Sequence, residues 1–345
     1  MMNMEIAVIV IFAFLTIAIL MARPLIKIRR MSSVTNRAPE PHKPQLTHNL
    51  YRHVRALAHQ IGSRSLSEYD KLKEAQTYIE TVLRESGIPY SIQDCPAHEK
   101  TCANIVVTFP GSRPLPQKIL IGAHYDTIPG TPGADDNASS VSVLLEMCRA
   151  LKNSTPDKTL QLVFFTLEEP PSFDTERMGS RVCAGEARKN NEDILLMICL
   201  EMIGYYSPRK NGQEFPLPLM NLFYSAVPDF VLVAGDLASR KMVAFAGDCI
   251  RRTSGLRVET LTVPQCFPGI KLSDHSSFWR RGYRAIMITD TAFYRNPNYH
   301  TPMDTIDTLD FKAMTALCET LIKMVHELDG RPDDGNCRQG EFILS

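Results

Sequence analysis

Six apolar runs, Ala103–Phe109, Lys118–Ala123, Thr159–Thr166, Ile194–Leu200, Phe230–Val233 and Arg284–Thr289, recur along the chain and constrain its fold more than any other feature. Runs this short, ended by loop-forming residues, predict buried β-strands. Segments of helical period lie between several of them. The clearest puts Val141, Leu144, Leu145, Cys148 and Leu151 on one face. Strands alternating with helices imply an α/β sandwich around a largely parallel sheet. In such a sheet ligands collect just beyond the carboxyl ends of the strands.

Around this unit the chain divides into four parts. From Ile6 to Ala22 every residue is apolar except Thr16, and Arg23, Lys27, Arg29 and Arg30 follow. Residues 1–30 therefore predict a transmembrane anchor with a basic flank, near the lower limit of about 17 residues for a spanning helix. The basic residues follow the apolar run instead of preceding it, and no small-x-small site closes it, which favours an anchor over a cleaved signal. The positive-inside rule places the rest of the chain on the cytoplasmic side. Residues 31–47 predict a tether, 48–330 the folded domain and 331–345 a polar tail. The domain opens with two helical patterns between His48 and Ser86, divided by Gly62-Ser63-Arg64, before strand-like alternation at Tyr90–Cys95.

Lys plus Arg balance Asp plus Glu at 38 each, so no global charge draws the chain to nucleic acid. The nine cysteines contain no CxxC spacing, which excludes a zinc ribbon or dithiol redox motif; pairing of Cys95 with Cys102 stays open. No Gly-x-Ser-x-Gly elbow supports a serine hydrolase.

The chemistry-bearing residues fall where the fold predicts ligands. His124 and Asp126 follow the second run, Glu168 and Glu169 the third, and Glu201 the fourth. Any one carboxylate at a strand end is ordinarily a cap or a solvated loop residue; three successive strand ends so furnished point to a site. Asp126 can fix the tautomer of His124. In Glu168-Glu169 one carboxylate can hold metal while the other moves a proton. Gly133-Ala134-Asp135-Asp136-Asn137 opens the amphipathic helix, where capping is the plain alternative.

Taken together, Asn104 to Leu309 resembles the co-catalytic zinc peptidases, metallopeptidase family twenty-eight, related to bacterial leucyl aminopeptidase, glutamate carboxypeptidase and glutaminyl cyclase. The resemblance implies a three-layer sandwich of the zinc exopeptidase type with a mixed central sheet. It implies two Zn2+ per chain, one on His124, Asp136 and Glu201, the other on Asp136, Glu169 and His300 of Tyr299-His300-Thr301. It makes Glu168 the general base, Asp126 a support for His124, and a peptide with a free amino terminus the substrate. Asp274 and His275 resemble a pocket-lining segment, and Tyr205 and Tyr299 are candidates to touch substrate. Glu201 stands where most relatives have Asp, and Ser140 where Gly is usual. Two rival readings are a one-zinc glutaminyl cyclase and a non-catalytic membrane adaptor. Neither oligomeric state nor side-chain preference follows from the sequence.

Overall fold

The structure is a computed structural model that describes residues 43–97, 99–113 and 117–330. The anchor with its basic flank, the tether as far as residue 42 and the polar tail lie outside the described residues. Among the described residues no helix is long and apolar enough to cross a membrane.

The first helix, α1 (Pro44–Val54), begins inside the stretch expected to be tether. Pro44 occupies the first turn, where its missing N–H costs nothing, and Leu50 and Val54 are buried. A single apolar stripe two turns long is hard to separate from a linker until its packing partner is seen. A wider π-type stretch, Arg55–Ile61, continues α1 and stops at Gly62, whose positive φ lets the chain turn. Helix α2 (Tyr69–Glu85) follows with Leu72, Ala75, Ile79 and Leu83 on its buried face.

Eight strands form one sheet: β1 (Ser91–Ala97), β2 (Lys100–Phe109), β3 (Lys118–His124), β4 (Thr159–Phe165), β5 (Ile194–Glu201), β6 (Phe230–Gly235), β7 (Arg257–Thr262) and β8 (Ala285–Thr289), in the order β1-β2-β4-β3-β5-β8-β6-β7. Pairing is parallel in β4–β3, β3–β5, β5–β8 and β6–β7, and antiparallel in β1–β2, β2–β4 and β8–β6. β5 is buried at every position, as a central strand covered on both faces must be. β7 has no counterpart among the six apolar runs: at the edge of the sheet its Arg-Val-Glu-Thr-Leu-Thr mixes polar and apolar residues.

Helices cover both faces. α1, α2, α3 (Ser140–Leu151), α5 (Arg240–Thr253) and α7 (Phe311–Asp329) enclose the larger core, while α4 (Gly179–Lys189) and α6 (His275–Arg280) cover a second core on the opposite face. The sandwich thus has three layers. Cys95 and Cys102 face each other across the β1–β2 hairpin, both buried and both free thiols.

Candidate metal centre

β3 ends on His124, β5 on Glu201, and Glu168 and Glu169 lie just beyond the end of β4, so the sheet brings all four to one edge. Asp136 comes from the loop that opens α3. There the backbone leaves helical values at Asp136 (φ −102, ψ 88) and Asn137 (φ −133, ψ 35). Gly133 is required at the loop entrance: its φ is +64, and a Cβ would lie 2.3 Å from the Asp136 carbonyl oxygen. Asp304 clasps the loop, accepting from the backbone N–H of Asp135 at 2.9 Å and of Asp136 at 3.1 Å. Asn137 joins it to β5, donating to the Leu200 carbonyl at 3.0 Å and accepting from Met202 N–H at 3.0 Å.

These supports produce two adjoining clusters that share Asp136. His124 Nε2 lies 3.3 Å from Asp136 Oδ1 and 3.4 Å from Glu201 Oε2. His300 Nε2 lies 3.1 Å from Asp136 Oδ2 and 3.2 Å from Glu169 Oε1. In each cluster the donor atoms all fall within 4.8 Å of one another. Leu167 (φ 60), Met202 (φ 43) and His300 (φ 56) are non-glycine residues in the left-handed region, at or beside these positions. Such backbone persists where surrounding structure holds it, typically at functional sites.

Electrostatics reflect four carboxylates gathered with two imidazoles. Burial would raise Asp136, but hydrogen bonds from His124 and His300 outweigh it and hold the carboxyl below the usual range. Burial disfavours charge on His300, yet Asp136 and Glu169 lift it to about 10, and His124 rises well above its ordinary value beside Glu201 and Glu168. Glu169 is pushed up to about 7 by burial and by Asp136, and burial among Glu169, Glu201 and Asp274 drives Glu168 well above the carboxylate range against the pull of His124. Arg64, fully buried, spends its guanidinium on carbonyls: Nε donates to Tyr125 O at 2.7 Å, and Nη1 and Nη2 to Pro132 O and Gly133 O at 2.6 and 2.9 Å.

The expected support of His124 by Asp126 takes a different form. His124 Nδ1 lies 3.1 Å from the Asp126 backbone carbonyl and 3.7 Å from its carboxylate. Donation to that carbonyl leaves Nε2 free to face the cluster. The Asp126 carboxylate instead accepts from the N–H groups of Glu168 and Glu169, at 3.1 Å each, and so fixes the loop that carries both glutamates.

Of the four candidate substrate contacts, Tyr299 alone lines the apolar cavity beside Glu201, together with Phe215, Met220, Phe267, Leu272 and Phe293. Its ring stacks on His300 with centroids 3.7 Å apart. Asp274 is buried behind the site and raised to about 7 by burial. His275 is buried too, with Nε2 donating to Ile270 O at 2.7 Å and its ring edge-on to Trp279. Tyr205 is anchored through its N–H to Asp290. Sequence reading missed Arg64, the clasp role of Asp304, and Ser273, whose hydroxyl donates to Glu201 Oε2 at 2.6 Å. Ser273 adjoins Asp274-His275, which drew notice for their own chemistry; the fold was needed to turn the hydroxyl toward β5.

Comparison with known proteins decides the family. The profile of Peptidase family M28 matches residues 104–325, which include every residue of both clusters. The chain belongs to peptidase family M28. As a member it is a metallopeptidase. The Escherichia coli (strain K12) uncharacterized protein YfbL is 36% identical over 326 residues, 92% of this chain and 98% of that protein. Leucine aminopeptidase 1 of Ajellomyces capsulatus (strain H88) is 24% identical over 264 residues; the match covers 72% of this chain and 62% of that relative. The LapA aminopeptidase of Legionella pneumophila shares the fold, with a TM-score of 0.65 at 20% identity over 83% of this chain and 72% of the other.

Proposed function

We propose that this M28 member is a zinc-dependent aminopeptidase, hydrolysing peptide bonds next to a free amino terminus. Asp136 carries the reading: its two carboxylate oxygens face two different histidines, each backed by its own glutamate. The donor set fits the metal. Zinc takes imidazole nitrogen and carboxylate oxygen, and catalytic sites retain an open position; four buried carboxylates beside two imidazoles form a cluster that a divalent cation would neutralise. His124, Asp136 and Glu201 would hold one ion, and Asp136, Glu169 and His300 the other. Zinc bound there would supply Lewis acidity, easing deprotonation of a water and polarising the scissile carbonyl.

The chain's own groups do the rest. Glu168 takes the proton of the attacking water at its carboxylate and passes it to the leaving amine. Asp126 holds Glu168 and Glu169 in register through their backbone N–H groups. Tyr299, stacked on His300, forms the wall between the ligands and the apolar cavity. The name of the leucine aminopeptidase relative supports the substrate class. A one-zinc cyclase leaves the second cluster without a use, and an adaptor leaves Glu168 without one.

The test is metal content and cleavage of amino-acid anilides and dipeptides by the full chain and by Glu168→Gln. Two zinc ions per chain in both proteins, with cleavage at least about 100-fold lower in the variant, is the expected result. Undiminished cleavage by Glu168→Gln sinks its role as base, and one zinc with cyclisation of amino-terminal Gln returns the cyclase reading.

A further inference from the structure

The mouth of the apolar cavity is ringed by side chains that a water-facing rim does not need. Among the described residues nine large hydrophobics are exposed, and five of them line this cavity or flank a residue that does. Leu272 and Phe293 line it directly, while Leu217, Leu219 and Leu222 flank Met220, another lining residue, in the short turn Pro218–Leu222. Leu219 is 72% exposed and Leu222 64%, and neither lines the cavity. Exposed cations lie near them along the chain: Arg209 and Lys210 eight and seven residues before Leu217, and Lys271 next to Leu272. None of the three makes a salt bridge among the described residues. Glu214 is the acid on this rim.

Exposed leucines with exposed cations before and beside them suit the boundary of an anionic bilayer. The apolar side chains enter the headgroup region and the cations meet lipid phosphates. The rest of the chain supplies the means to hold it there. The basic flank of the apolar run Ile6–Ala22 ends at Arg30, 13 residues before Lys43, a stretch that extended spans up to about 45 Å. Lys43 pairs with Glu319 and the Tyr51 ring meets Phe311 edge-on, so α1 runs antiparallel to α7 and the chain enters part-way along the flank of the domain. From there a tether of that length lets the strand-end face lie on the membrane.

We propose that the rim formed by Leu217, Leu219, Leu222, Leu272 and Phe293 docks on an anionic bilayer surface, so that the cavity opens toward peptides held at the membrane. The docking rests on the aminopeptidase reading only in calling the cavity a substrate site, and its first test, by fluorescence, involves no turnover. The full chain is incorporated into phosphatidylcholine vesicles containing about 30 mol% phosphatidylglycerol. Leu219→Trp is compared with Asn190→Trp, placed just past the end of α4, against the constant background of the buried Trp279. Docking predicts that emission from the Leu219→Trp protein shifts to shorter wavelength and is quenched by brominated lipid, while the Asn190→Trp protein responds to neither. Emission from Leu219→Trp that stays water-like on vesicle-bound protein overturns the proposal. So does equal quenching at both positions, or a shift that follows protein concentration without vesicles and so reports a second copy of the chain. Leu219→Glu with Leu222→Glu is expected to slow cleavage of a lipid-anchored peptide while leaving the same peptide in solution unaffected; equal loss on both overturns the membrane assignment in favour of a substrate contact.

Discussion

Ser273 shows how a single hydroxyl can set the reach of a ligand. Glu201 has one methylene more than Asp, and its Oε2 faces His124 at 3.4 Å while accepting from Ser273 at 2.6 Å. A carboxylate can only accept, so the serine proton points at Glu201. The Cys199 thiol, 3.2 Å away and held protonated by burial, then donates to the serine oxygen. Ser273→Ala frees the longer side chain to rotate and is expected to weaken metal binding at that cluster about 10- to 100-fold. Chelator competition on the purified protein measures this, and unchanged affinity would show that Glu201 needs no such guide. The residues of the two clusters were picked out in the sequence by short local patterns: His124 with Asp126 and Glu168 with Glu169 at strand ends, and Asp136 with Asn137 at the opening of α3. Their supports were not. Asp304 reaches Asp135 and Asp136 across about 170 residues, Arg64 reaches Gly133 across 69, and Ser273 reaches Glu201 across 72. No local period encodes such pairs.

At the scale of elements, α6 illustrates a residue whose type suggested chemistry and whose packing decided otherwise. His275 opens this helix with its ring buried against Trp279 and its Nε2 proton given to Ile270 O. Burial lowers its pKa to about 4. The unfolded chain binds that proton near 6.5, so between about pH 6.5 and 4 the unfolded state holds more protons than the folded one. Stability therefore falls as pH drops through this window, by about 3 kcal/mol in all from this group. Imidazole resonances followed by NMR should show His275 uncharged at pH 5, and titration near 6.5 in the folded protein would refute the assignment. The same element contrast explains what the strand prediction lost. β5 and β3 are covered on both faces and read as unbroken apolar runs, whereas β7 at the sheet edge carries Arg257, Glu259 and Thr262, which periodicity does not distinguish from loop.

For the whole molecule, the consequential difference from sequence reading is where folding begins. Residues as far as 47 read as tether because Pro44, Gln45 and Thr47 dilute the apolar pattern. In the structure α1 lies between α3 and α7: Asn49 donates to Glu146 at 2.9 Å, His53 meets Glu146 at 3.2 Å and Tyr78 at 2.7 Å, and Leu50 and Val54 are wholly buried. α3 is the helix whose entrance carries Asp136, and α7 follows directly from Asp310, whose N–H donates to Gly204 beside β5. The first helix thus braces the two elements that flank the metal centre without supplying a ligand. Leu50→Ala should cost about 2–5 kcal/mol, because the space between two packed helices cannot close over a lost isobutyl group. Urea denaturation would show it as a lower midpoint with little change in slope. Zinc stoichiometry of the folded fraction should stay at the wild-type value, which separates a brace from a ligand support. An unchanged midpoint would place α1 outside the cooperative unit and return residues 44–47 to the linker that their composition first suggested.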